Sequence, residues 1–143
     1  MKNKMYDFAM NIALFRTLKI GNPNCDFLSR SEVSFLVLIN NSETELTCVE
    51  ISRYFGCSKV FVSKIINILQ EKKMIEKKPR DNDKRSFTIS LTEEGLKFTK
   101  KYIDEYVKSI ANLYDKLGEE KSNELMDLLN ESRKIINDYN KNA

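Results

Sequence analysis

A stretch near the middle of this 143-residue chain carries side chains that can hydrogen-bond to nucleic-acid bases and phosphates. Four aliphatic residues recur there three or four positions apart, the spacing of a buried helical face: Val62, Ile65, Ile66 and Leu69. That arrangement turns the intervening residues toward other faces: Lys59, Val60, Phe61, Ser63, Lys64 and Asn67. Lysine and asparagine can donate hydrogen bonds to bases or phosphates, and valine or phenylalanine can pack on a thymine methyl group. The alternative is an ordinary solvated helix face.

A second group of cations follows in the segment EKKPRDNDKRS: Lys77, Lys78, Arg80, Lys84 and Arg85. From residue 59 to residue 85 there are nine Lys or Arg and four Asp or Glu, a net charge of +5, whereas the whole chain carries only +3. A basic loop beside a base-reading helix can reach a neighbouring minor groove, whose negative potential attracts Arg and Lys. The alternative is a charged strand edge that prevents aggregation. Asp83, two residues before Arg85, could hold its guanidinium in place.

The elements that position these groups begin at recognisable helix caps. Ser29 with Glu32, and Thr47 with Glu50, have the spacing of capping boxes. The second box predicts a short helix over residues 48–55 that ends at Gly56. Ser58 can cap the next helix, from residue 59 to about 73. Two short helices joined around a glycine are typical of a helix-turn-helix.

The segment after these helices predicts a β-hairpin and two long helices. Residues 75–79 and 85–91 predict two strands around a turn at 80–84, because apolar and polar residues alternate from Ser86 to Leu91. Thr92 is placed to cap a helix that Gly118 interrupts, with Leu96, Tyr102 or Ile103, Tyr106, Ile110, Leu113 and Leu117 facing inward. A last helix runs over about 119–139. An N-terminal helix over residues 5–20 has an apolar face and ends at 21–24. The fold expected is mainly α with a small β-hairpin wing.

The sequence resembles the MarR family of transcriptional regulators, clearly over residues 28–100 and loosely in the flanking helices. The resemblance rests on LSRSEVSFLVLI, LTCVEISRYFGCSKVFVSKIINILQEKKMI and DNDKRSFTISLTEEG, in which Asp83, Arg85, Leu91, Thr92 and Gly95 follow the family's wing pattern. It implies a winged helix-turn-helix with N- and C-terminal dimerisation helices. It implies a homodimer that places a recognition helix in the major groove, and a wing in the minor groove, of a pseudo-palindromic operator.

Carried over residue by residue, the resemblance implies these recognition-helix contacts: Ser58, Lys59, Val60, Phe61, Ser63 and Lys64. It assigns the wing to Asp83, Lys84 and Arg85, and from the helix pattern we add Asn67 as a DNA contact. The expected layout is one domain over residues 1–143, with a winged core at 29–92 and dimerisation helices at 5–20 and 93–140. The surplus of apolar side chains in the terminal helices also favours pairing across a two-fold axis.

Two positions depart from the family's usual pattern. Lys73 stands where the family usually has glycine, so this lysine must accept the backbone geometry that glycine would take. Ile68 stands where a polar or charged residue is usual, which changes the packing expected at the back of the recognition helix.

The three cysteines offer a second way to regulate the protein. Cys48 lies in the first turn of a predicted helix, where the helix N-terminus could lower the pKa of the thiol. Cys57 lies in the helix-turn-helix turn, and Cys25 lies in the loop after the first helix. The members of the family that sense oxidants carry their cysteine within the first helix, and no cysteine precedes Asn24 here. Each cysteine is otherwise a small buried hydrophobe. A small-molecule effector is the alternative that the family resemblance implies.

Several function classes find little support in the composition. The chain has no histidine, the commonest general base and metal ligand, and it has no P-loop or GxSxG motif. We therefore expect no enzyme, no cofactor and no metal site. No apolar run approaches the ~18–20 residues of a membrane span, so a cytoplasmic location is expected. The function expected is a sequence-specific double-stranded DNA-binding repressor. The alternative outside DNA binding is a winged-helix module for protein contacts.

Overall fold

The computed structural model describes residues 3–18, 20, 26–80 and 83–142, with the side chains of 83–85 outside the description. In chain order the elements are α1 Lys4–Thr17, α2 Arg30–Asn41, α3 Cys48–Phe55, α4 Lys59–Glu71, β1 Ile75–Arg80, β2 Asp83–Leu91, α5 Glu93–Leu117 and α6 Glu119–Asn142. The described elements are therefore mainly helical with one antiparallel hairpin, which confirms the predicted fold class.

The predicted helix starts are confirmed by their hydrogen bonds. Ser29 and Glu32 form a reciprocal capping box at α2, and Thr47 and Glu50 form another at α3. Gly56 ends α3 in the left-handed conformation, with φ of 63°. These bonds satisfy backbone N–H groups that a helix end leaves without partners. Helix α1 ends at Thr17 rather than at residue 20, and the proposed stop at 21–24 lies outside the described residues.

The strands of the hairpin are longer than the sequence predicts. The sequence predicts a turn at 80–84, but Arg80 belongs to β1, and Asp83 and Lys84 belong to β2. Arg80 pairs with Asp83, and the register shifts between Pro79 and Arg80. The cross-strand pairing extends the ladder toward the turn because it satisfies backbone groups that a five-residue loop would leave to solvent.

The core lies where α2, α3, α4 and the hairpin meet. Its fully buried side chains come from each of these elements: Phe35, Leu36, Ile51, Val62, Ile66, Leu69, Ile75 and Ile89. Phe35 stacks on Phe55 with ring centroids 4.9 Å apart. The four aliphatic residues that predicted the buried face of α4 are all buried. The side chains on the opposite face of α4 are therefore turned to solvent.

A tight corner joins the end of α4 to the wing. Lys73 has φ of 60° and is the one non-glycine residue with positive φ in the described part of the chain. Its carbonyl accepts a hydrogen bond from Thr92 Oγ1 at 2.6 Å. A Cβ on Gly95 would lie 1.9 Å from the carbonyl oxygen of Met74. The backbone of α5 therefore approaches this corner as only a glycine permits, and Lys73 adopts the glycine-like geometry expected from the sequence.

The terminal helices leave many apolar side chains uncovered. Neither α1 nor α6 has a buried residue. Leu96 and Leu113 of α5, expected to face inward, are each 38% exposed. That expectation is wrong for a single chain, because the packing of α5 against α2, β2 and α6 leaves more than a third of each residue exposed. Among the described residues, no helix combines the length and apolar character needed to cross a bilayer.

Candidate nucleic-acid interface

The N-terminal half of α4 presents the face expected to read DNA. Lys59, Ser63, Lys64 and Asn67 are exposed, and Val60 is 81% exposed. All lie opposite the buried stripe of the same helix. Ser58 precedes them as the N-cap, where its Oγ accepts a hydrogen bond from the Phe61 backbone N–H at 3.1 Å. These residues form one surface that can meet the floor of a groove, and we call it the reading face.

Phe61 lies at the border between the core and the reading face. Its ring meets the edge of Phe35 at 6.3 Å between centroids, yet the residue remains 38% exposed. One side of the ring is therefore held by the core, and the other side is available to a partner. Its position supports packing on a base edge less directly than that of Val60.

Asn67 connects the reading face to the wing. Its side-chain oxygen accepts a hydrogen bond from Lys77 Nζ at 3.0 Å. The same ammonium group lies 4.7 Å from the ring centroid of Phe87 in β2. One lysine of β1 thus joins α4 to both strands of the hairpin. In the free protein Asn67 is a link between elements as well as a candidate DNA contact.

The proposed wing contacts Asp83, Lys84 and Arg85 lie at the start of β2. Their side chains are outside the described residues, so the idea that Asp83 holds Arg85 stays a prediction. Arg80, which pairs with Asp83 across the hairpin, is exposed. The backbone thus places residues 80 and 83–85 together at the free end of the hairpin.

Glu45, which the sequence analysis does not single out, binds the base of the wing. Its carboxylate accepts hydrogen bonds from Lys78 Nζ at 3.1 Å and from Thr88 Oγ1 at 2.8 Å. These hydrogen bonds, from Thr88 first and Lys78 second, lower the pKa of Glu45. The next residue, Leu46, accepts the Ile89 backbone N–H at 2.8 Å and forms an isolated β-bridge with it. No local pattern could have revealed Glu45, because its partners are 33 and 43 residues away.

The cysteines lack the expected activation. Burial raises the pKa of the Cys48 thiol, and nearby Lys77 opposes this only in part. Burial also raises the pKa of Cys57. The expected lowering at Cys48 is wrong, because desolvation of the thiolate outweighs the helix N-terminus. Cys25 lies outside the described residues. Within the described ranges, no cluster of three His, Cys, Asp or Glu could hold a metal ion.

A cleft of about 710 Å³ opens beside the helix-turn-helix. Helices α2, α3 and α5 contribute apolar and aromatic side chains to its lining, including Val37, Phe55, Tyr102 and Tyr106. Arg30 and Arg133 also line it. The cleft combines aromatic surfaces with two guanidinium groups, a composition suited to an aromatic anion.

Comparison with known proteins agrees with this architecture. A model of the MarR family matches residues 28–86. A search of curated proteins gives no match.

Among solved structures, the transcriptional regulator SlyA is 18% identical, with a TM-score of 0.74 over 98% of each chain. A MepR–DNA complex from S. aureus is 20% identical, with a TM-score of 0.71 over 95% of this chain and 99% of that one. Lactococcus lactis ZitR is 22% identical, with a TM-score of 0.59 over 93% of each chain. A MarR-family model therefore matches the winged segment of this chain, and these solved regulators share its fold over nearly the whole length.

Proposed function

We propose that the protein is a sequence-specific double-stranded DNA-binding transcriptional regulator that acts as a homodimeric repressor in the cytoplasm. The observation that carries this proposal is the reading face of α4, exposed beside a basic hairpin. Ser58, Lys59, Val60, Phe61, Ser63, Lys64 and Asn67 would meet the major groove, and Asp83, Lys84 and Arg85 would meet the adjacent minor groove. The family match, and the DNA-bound MepR with the same fold, support this assignment. We propose that the protein has no catalytic activity.

We propose that residues 29–92 bind DNA and that 5–20 and 93–140 hold the two subunits together. Helix α1 supports this, because its exposed apolar residues surround the helix: Met5, Tyr6, Phe8, Met10, Ile12, Leu14 and Phe15. A helix that is apolar on all sides is normally buried. A second copy of the chain would supply the cover, and a two-fold pair matches a pseudo-palindromic operator.

We propose that a small aromatic anion in the cleft beside α3 modulates DNA binding. The cleft touches α2 and α3 of the winged core and α5 and α6 of the terminal helices. A ligand there could favour one arrangement of the two parts over another, provided that it binds the two arrangements with different affinity.

Selection of bound duplexes from a randomised library, followed by affinity measurement at several salt concentrations, tests the function. We expect one two-fold symmetric sequence to be enriched, and the log–log salt slope should be about 0.9 per neutralised phosphate. Lys64→Ala and Arg85→Ala should each weaken operator binding without changing the dimer state. Lys121→Ala, an exposed lysine of α6, is the matched control and should bind as the parent does. A flat salt response would favour the protein-contact alternative.

A further inference from the structure

The wing is attached to the rest of the protein at its base rather than along its length. Leu46 pairs with Ile89 as a one-bridge third strand, and Asn67 receives Lys77 on the other side. Within the described residues, these contacts and those of Glu45 are the polar links between the hairpin strands and the loop and helix beside them. Beyond the apolar packing of Ile75 and Ile89 in the core, the polar attachment of the wing therefore depends on a few side chains.

Glu45 occupies a central place among these links. The two residues that donate hydrogen bonds to its carboxylate belong to different strands, Lys78 to β1 and Thr88 to β2, and they are direct cross-strand partners. One carboxylate thus ties both strands of the hairpin to the loop that precedes α3. Because α3 packs on α4, the same loop is connected to the recognition helix.

The charge of Glu45 would itself repel DNA. An exposed carboxylate near phosphates is unfavourable, and its side chain is 48% exposed. An exposed ion pair contributes little to folding stability, typically below about 1 kcal/mol. Neither electrostatic attraction to DNA nor stability of the fold accounts well for a carboxylate here. Its geometry, with two hydrogen bonds to opposite strands, suits orientation of the wing.

We propose that Glu45 is a positioning residue that holds the wing at the angle required for the hairpin and the recognition helix to engage one operator together. This inference rests on the proposed function. Lys78 then binds Glu45 within the protein, and the cations at the free end of the hairpin contact the minor groove. Loss of the tie should reduce discrimination between sequences, because a wing that samples several angles can still contact phosphates of any duplex.

The test compares Glu45→Ala and Thr88→Val with the control Glu43→Ala. Thr88→Val removes the hydroxyl that binds Glu45 and changes no charge, whereas Glu43→Ala removes a neighbouring charge for which the described contacts show no partner in the wing. The probes are the duplex enriched from the randomised library and a scrambled duplex of equal composition. We expect Glu45→Ala and Thr88→Val each to lower the ratio of the two affinities about three- to tenfold, an energy of ~0.7–1.4 kcal/mol. The double variant should lose little more than Glu45→Ala, because both changes break one contact.

Hydrogen exchange at the Ile89 amide, which donates to the Leu46 carbonyl, measures how firmly the wing is attached. It is recorded without DNA and is therefore independent of DNA binding. We expect faster exchange in Glu45→Ala and Thr88→Val than in Glu43→Ala. Parent-like exchange would overturn the proposal whether or not the protein binds DNA. Faster exchange in the two variants with an unchanged ratio of enriched-duplex to scrambled-duplex affinity would show that the Glu45 contact has no role in recognition. That result would also overturn the proposal. If the parent enriches no duplex, the proposed function itself fails, and the positioning role fails with it.

Discussion

Val60 is the residue at which recognition of a particular base is most open to test. It is 81% exposed on the second position of α4, in a helix whose other aliphatic side chains are largely covered. Exposing an aliphatic side chain has no benefit in the free protein, and a thymine methyl group would remove it from water.

Val60→Ala is expected to weaken operator binding about fourfold, ~0.8 kcal/mol, the free energy of one buried methylene-sized contact. Replacing thymines of the operator with uracil one at a time should identify one position with the same loss in the parent. Uracil at that position should cause no further loss of affinity in Val60→Ala. Lys64→Ala is the control and should keep the preference for thymine, and equal uracil sensitivity in both variants would refute the contact.

Lys73 shows how a single backbone angle affects stability. Its φ of 60° places a Cβ-bearing residue in the left-handed region, which costs roughly 1–2 kcal/mol relative to a right-handed conformation. Lys73→Gly should therefore raise the free energy of unfolding, by about 0.5–1 kcal/mol after the greater entropy of the unfolded glycine is included. Chemical denaturation measures this. Lys100→Gly, on the exposed side of α5, should change stability in the opposite direction by a similar amount.

At the scale of elements, the start of α2 is fastened to the end of α4 by Glu32. Its carboxylate accepts a hydrogen bond from Lys72 Nζ at 2.7 Å and another from the Ser29 backbone N–H, also at 2.7 Å. Burial acts to raise the pKa of Glu32, but the hydrogen bonds from Lys72 and Ser29 outweigh it and lower the pKa. Lys72 also binds the Phe27 carbonyl at 2.8 Å. Helix α4 is therefore held at its C-terminal end by α2 and the residues before it.

This lowered pKa predicts a pH-dependent contribution to stability. Because the folded carboxyl titrates below its ordinary value of 4.5, its stabilisation is fully present above that value and is lost as the pH falls through the folded pKa. Glu32→Gln should lower the free energy of unfolding by about 1–3 kcal/mol near neutral pH. The difference from the parent should shrink in acid. Glu71→Gln, at an exposed position of α4, is the control and should show neither effect. A stability difference between Glu32→Gln and the parent that does not change with pH would contradict the ionic role of Glu32.

At the scale of the whole molecule, the proposed pairing of two copies through the terminal helices would let two reading faces act together. Exposed apolar residues occur on α6 as well as on α1; in α6, Leu128 is 61% and Ile135 is 62% exposed. A surface of this kind is expected to be covered by another chain. The two-fold pair is what would set the spacing between the two recognition helices.

Ile12→Asp tests this assembly. In a two-fold interface each substitution occurs twice, so we expect the dimer dissociation constant to rise tenfold or more, at least about 1.4 kcal/mol. Light scattering after size-exclusion chromatography measures the dimer fraction, and operator affinity should fall with it. Glu71→Lys reverses the charge of an exposed position of α4, outside the terminal helices, and should leave the dimer intact. A monomeric parent that binds its operator fully would contradict the proposed assembly.

The sequence by itself determined the elements whose signals are local. The caps at Ser29, Thr47 and Ser58 and the buried stripe of α4 follow from residues a few positions apart, because a helix brings such residues into contact wherever it forms. The corner at Lys73 was expected from the family resemblance. Only the tertiary structure decided how the wing is attached, since Glu45 and Lys78 are 33 residues apart and Glu32 and Lys72 are 40 apart. The burial of Cys48, which reverses the pKa shift expected at a helix N-terminus, was likewise decided by packing. Contacts of this kind depend on the path of the whole chain, whereas periodicity and helix caps carry information only about residues close together in sequence.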